Sequence, residues 1–276
     1  MSENKESLLN IVNASGFLFQ LRIEKEIKAM DHYGTGKWII AAQEHRWFDL
    51  QGESDGFIDL VLKAGIMRMV IECKRVTDAN WVFLIPDGHR EMARTRVRWT
   101  LRNPNNASIA DWHDFHISPP SPEAAFCIVR GQGEKDTPML ERLSSLVLRS
   151  VESLADQELG FTSRSGGEPC VYFPVIITNA TLLVCRFKSE KIDISTGQID
   201  DADFEEVPCV RFRKNLSSST PDSKPQETLE KTNQANERTI LVIHSDDLAA
   251  TLNEWDLPYS HSNAPWPWER YRQVDQ

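Results

Sequence analysis

Between Glu6 and Met30 apolar side chains recur at three- and four-residue spacing, Leu8, Ile11, Val12, Leu18, Leu21 and Ile23 among them, and this period predicts helix. Gly16 divides the run into two helices. A second helical stripe, Leu140, Leu143, Leu146, Val147, Val151 and Leu154, predicts a helix from Thr137 to Leu159 with Pro138 in its first turn. Short apolar runs predict strands at 37–42, 56–62, 67–74, 124–130, 171–178, 181–187, 209–212 and 239–243. The run at 124–130 reads as buried. Lys63-Ala64-Gly65-Ile66 joins the second and third runs into a hairpin.

Two stretches break the pattern. Residues 76–120 mix Trp, Arg, Pro and Asn and read as an irregular insertion, and 215–238 is poor in large apolar groups and reads as a mobile loop. Asp246 to Trp255 resembles a short helix. Strands and helices interleave, so the expected class is α/β, a mixed sandwich forming one domain over 1–276.

Composition narrows the functions. With 31 Lys+Arg against 41 Asp+Glu the net charge is −10, which argues against coating nucleic acid by bulk attraction. A local patch remains: Arg90, Arg94, Arg96, Arg98 and Arg102 fall within 90–102 beside a single acid, Glu91. These arginines are the first candidates to meet phosphates, with intramolecular pairing as the competing reading. No apolar run reaches the ~18 residues of a membrane span, and Met-Ser-Glu-Asn-Lys-Glu lacks the marks of a signal peptide. A cytoplasmic chain with no membrane partner is expected. The five cysteines form no CxxC pair and read as buried thiols. His113 and His116 lack further ligands at recognisable spacing, and Trp255, Trp266 and Trp268 read as core.

The hairpin carries the chemistry. Of three Glu-x-Lys triplets, only Glu72-Cys73-Lys74 lies in an apolar strand, where the two-residue period sets Glu72, Lys74 and Val70 on one face. Asp59 interrupts the partner run, a position where even a neutral polar group left unpaired costs on the order of 2–7 kcal/mol. Depending on the turn, Asp59 lies opposite Val70 and diagonal to Glu72, or directly opposite Glu72. Either register puts both carboxylates on one face, close enough to converge on a hard divalent cation.

Ser54-Asp55-Gly56-Phe57-Ile58-Asp59, then twelve residues, then Glu72-Cys73-Lys74, resembles the PD-(D/E)XK, or restriction-endonuclease-like, nuclease superfamily. The resemblance implies a central mixed sheet flanked by helices, with a large insertion after the catalytic hairpin. It implies that Asp59 and Glu72 bind Mg²⁺, with Mn²⁺ able to substitute, that the Cys73 carbonyl completes the site, and that Lys74 supports water attack. An upstream helical glutamate adds a ligand or orients a water; Glu24, on a stripe with Phe17, Leu21 and Ile27, is the first choice and Glu26 the second. Ile58 stands where the family's proline is usual. The implied function is a metal-dependent nuclease, most naturally a DNA endonuclease in bacterial antiviral defence, with RNA left open as substrate. The alternative is a catalytically inactive subunit that binds nucleic acid or protein. The acidic charge fits control by a defence-complex partner or work as a homo-oligomer.

Overall fold

The computed structural model describes residues 2–30, 37–48, 55–77, 79–87, 92–102, 108–129, 138–161, 168–216, 227–257 and 266–269. Helices α1 (Ser2–Ala14) and α2 (Phe17–Met30) lead into the meander β1 (Ile39–Phe48), β2 (Asp55–Ala64) and β3 (Met67–Lys74). There follow β4 (Asn80–Pro86), β5 (Met92–Leu101), β6 (Ile109–Ser121), β7 (Glu123–Ala124), β8 (Phe126–Val129) and α3 (Met139–Leu159). The rest of the chain forms β9 (Pro169–Thr178), β10 (Thr181–Phe187), β11 (Asp203–Glu206), β12 (Cys209–Asn215), α4 (Leu229–Asn236), β13 (Glu237–His244) and α5 (Leu248–Glu254).

The main sheet runs β1-β2-β3-β9-β13-β12-β7, with β5 branching from β9 and carrying β6. It is mixed: β1, β2 and β3 are antiparallel, while β9 runs parallel to both β3 and β13. A smaller sheet, β11-β10-β4-β8, contains the parallel pair β4 and β10. Central position explains composition. β9 is buried along its whole length, which is why Pro-Cys-Val-Tyr-Phe-Pro-Val-Ile-Ile-Thr does not alternate. Pro174 falls where the far edge of β9 changes neighbour, between the pairing of Tyr172 with β5 and that of Val175 with β13. A missing N–H costs least there.

Each face of the main sheet has its own core. On one, Val61, Val70, Tyr172 and Ile176 meet Val147, Leu148 and Val151 of α3 and, from the small sheet, Trp81, Phe83 and Leu182. On the other, Leu62, Met69, Phe173 and Ile177 meet Ile23 and Ile27 of α2, Leu248 and Leu252 of α5, and Trp38, Trp255 and Trp268. The mixed α/β sheet flanked by helices is therefore as expected, and Trp255 and Trp268 are core.

Three local expectations need correcting. Residues 76–120 are not irregular but hold β4, β5 and β6; in β5 the arginines at 94, 96 and 98 alternate with Thr95, Val97 and Trp99, a two-residue period that the charges disguised. Within 215–238, 229–236 is helix, capped by Thr228, whose hydroxyl accepts from the Lys231 N–H; 217–226 lies outside the described residues. β8 is not buried, since Phe126 and Ile128 are exposed. The five cysteines form no disulfide; four are buried and Cys127 is half-buried.

Candidate active site

The turn between β2 and β3 is Gly65-Ile66, with Gly65 at φ 55° and Ala64 opposite Met67. A positive φ there is why glycine serves. The register continues through Val61 against Val70 to Leu60 against Ile71, and its next step sets Asp59 against Glu72. The directly opposed register is thus the one adopted. Both carboxylates line a cavity of about 330 Å³ whose wall includes Trp47, Gly56, Phe57 and, from α3, Leu146, Val147 and Ser150. Trp47 lies so close over Gly56 that an added Cβ would stand 2.9 Å from its Nε1. Glycine is required there by space.

Inside this cavity the carboxylates are poorly solvated. Burial raises Asp59 to about 6, although its Oδ2 accepts the Cys73 main-chain N–H at 2.6 Å, a bond that favours the charged form. Glu72 rises to about 7, through burial first and then repulsion from Asp59, with Lys74 pulling the other way. Lys74 is half-buried and forms no ion pair among the described residues. Burial and the same carboxylates push the Cys73 thiol up, so it is no nucleophile.

A third acid joins these two. Glu44 lies on β1 between Gln43, paired with Leu60, and His45, paired with Ile58, so the row Glu44, Asp59, Glu72 crosses three strands. Its charge raises both Asp59 and Glu72. Glu44 holds φ 47°, and Gln20 of α2 donates to its carboxylate and, at 3.4 Å, to the Asp59 carbonyl. Sequence reasoning missed Glu44 because the apolar run that predicted β1 ended at Ala42; the surviving signal was a lone glutamine, Gln20, inside Phe-Leu-Phe-Gln-Leu.

Glu24 sits one turn along α2 from Gln20, tied to Lys28 and hydrogen-bonded to Gln43, contacts that lower its pKa. Of its stripe only Ile27 is buried; Phe17 and Leu21 are exposed. Glu26 pairs with Arg22 on the outer side. The arginines are mostly engaged within the molecule. Arg98 is buried over the Trp112 ring and 4.0 Å from Asp156, and Arg96 meets Asp114 at 3.4 Å and the Ala235 carbonyl. Arg94 is exposed, and Arg90 lies outside the described residues. His113 and His116 fall on opposite faces of β6 by the strand period.

Two hard oxygen donors that repel each other in a poorly solvated cavity fit a divalent cation such as Mg²⁺, which uses one or two carboxylates and keeps waters. Among the described residues no group of three His, Cys, Asp or Glu stands in metal-holding geometry. No helix among the described residues is long and apolar enough to cross a membrane. No protein-family model, curated protein or solved structure matches the chain.

Proposed function

We propose that this chain is a divalent-cation-dependent nuclease with a restriction-endonuclease-like core, cutting DNA, in the setting of bacterial antiviral defence. One observation carries the reading: Asp59 and Glu72 stand opposed across β2 and β3 in one cavity, each raised well above the ordinary carboxylate range, with Lys74 two residues past Glu72 on the same strand and its charge felt by Glu72. Half-buried like charges are retained against a cost, and sites of chemistry are where that cost is commonly borne. The order of elements also agrees: a Glu-bearing helix before the hairpin, then strand, helix and strand in β8, α3 and β9.

Asp59 and Glu72 would hold Mg²⁺ or Mn²⁺, and their mutual repulsion becomes shared attraction when they do. A bound ion supplies Lewis-acid polarisation of a phosphoryl oxygen and a lowered pKa for its water. Lys74 offers fixed positive charge toward the negative charge that develops on the phosphate during attack. The Cys73 N–H fixes the rotamer of Asp59. Gln20 fixes Glu44, whose charge keeps the pair electron-rich toward a cation.

Purified chain incubated with supercoiled plasmid and Mg²⁺ or Mn²⁺ should nick or linearise it. Asp59→Ala and Lys74→Ala should each lose ~100-fold or more, the scale on which one electrostatic group counts. Wild type and both variants behaving alike would remove the enzyme reading and leave the non-catalytic binding subunit in its place.

A further inference from the structure

We propose that α1 and the outer face of α2 are the contact through which two copies of this chain associate. Every residue of α1 from Asn4 to Ala14 is exposed, and Leu8, Leu9, Ile11 and Val12 lie on one side of it with 55%, 49%, 67% and 46% of their surface open. α2 continues the patch. Ile23 and Ile27 of α2 face the chain's own core, yet Phe17, Leu18 and Leu21 are exposed as well, so the helix carries more apolar surface than that core uses.

A helix of 13 residues is marginal in water without packing. Something must cover this one. Among the described residues none covers it, since every position from Asn4 to Ala14 is exposed. Seven open side chains at roughly 100 Å² each make ~700 Å² per copy, close to the about 800 Å² that each partner gives a standard interface.

Charge selects a second copy as the occupant. The chain as a whole is at −10, so most faces of two copies repel. α1 and α2 are balanced, with Glu3, Glu6, Glu24 and Glu26 against Lys5, Arg22, Lys25 and Lys28. A neutral rim of both signs around an apolar centre is self-complementary, as a two-fold contact between identical surfaces requires. The same balance disfavours a membrane, whose anionic surface selects helices with an excess of Lys and Arg. One helical turn from Phe17 of this contact, Gln20 donates to the Glu44 carboxylate and the Asp59 carbonyl. This inference does not depend on the nuclease reading.

Sedimentation velocity of the full chain across a wide concentration range tests it, alongside flotation with neutral and anionic lipid vesicles. Wild type should sediment as a dimer. The doubly substituted Leu8→Glu/Ile11→Glu chain and the singly substituted Phe17→Glu chain should each raise the dimer dissociation constant at least tenfold, with the unfolding of the core, followed by tryptophan fluorescence, unchanged. Phe204→Glu, at an equally exposed position on β11, should leave the dimer intact. A monomer at every concentration, a dimer that both α1 and α2 substitutions leave intact, a dimer dissolved by Phe204→Glu, or a monomer that floats with vesicles overturns the proposal.

Discussion

Glu44 occupies a backbone region that costs an L-residue with a Cβ roughly 1–2 kcal/mol, and its charge adds repulsion to Asp59 and Glu72. Both costs vanish on substitution by glycine. Glu44→Gly should therefore stabilise the metal-free chain by about 1 kcal/mol or more in denaturant titration, while lowering the pKa values of Asp59 and Glu72; a loss of stability would show that Glu44 holds β1 in place by other means. Gly56 gives the opposite result. With Trp47 already against it, Gly56→Ala must displace a buried indole, and an overpacked site of this kind costs about 1–3 kcal/mol. The pair Asp59 and Glu72 was legible in the sequence because a carboxylate inside an apolar run stands out. Glu44 was not, since its role arises from a main-chain conformation and a neighbour on another strand, neither of which leaves a period in the sequence.

At the scale of elements, the hairpin is braced from α3. Glu158 accepts from Arg68 Nε at 3.0 Å and from the Tyr172 hydroxyl at 2.9 Å, joining the end of α3 to β3 and β9. Arg68 also donates to the Gly65 carbonyl at the turn itself, so the guanidinium fixes the register that opposes Asp59 to Glu72. Removing one partner of such a buried pair leaves a charge uncompensated. Glu158→Ala should cost about 3–5 kcal/mol in thermal or denaturant unfolding; a change under 1 kcal/mol would mean that water replaces the carboxylate. Helices α2 and α3, and strands β2, β3, β9 and β10, were readable because each buries one stripe or a continuous run. β5 and β6 were not, because the arginines of β5 are satisfied by Asp114 and the Trp112 ring on β6 and by Asp156 on α3, groups that only the fold brings near. That same pairing leaves Arg94 as the exposed member among the described arginines of the proposed phosphate-contacting set.

For the whole molecule, the raised carboxylates make stability depend on pH in a definite direction. Asp59 and Glu72 titrate near 6 and 7 when folded and near 3.8 and 4.5 when unfolded. Between about pH 4 and 7 the folded chain holds protons that the unfolded chain has released. Stability therefore falls as pH rises through that window and levels off above it, by on the order of a few kcal/mol for the coupled pair. Asp59→Asn combined with Glu72→Gln should flatten this slope. Saturating Mg²⁺ should restore stability to wild type near neutral pH through preferential binding to the folded state, and should do nothing for the double variant.

Anomalous diffraction from crystals grown with Mn²⁺ shows whether the two carboxylates share an ion. One strong manganese peak is expected between the Asp59 and Glu72 carboxylates, absent from crystals of Asp59→Asn. Crystals saturated with Mn²⁺ that hold no peak there, with Glu72 closed onto Lys74 as an internal ion pair instead, would contradict that expectation.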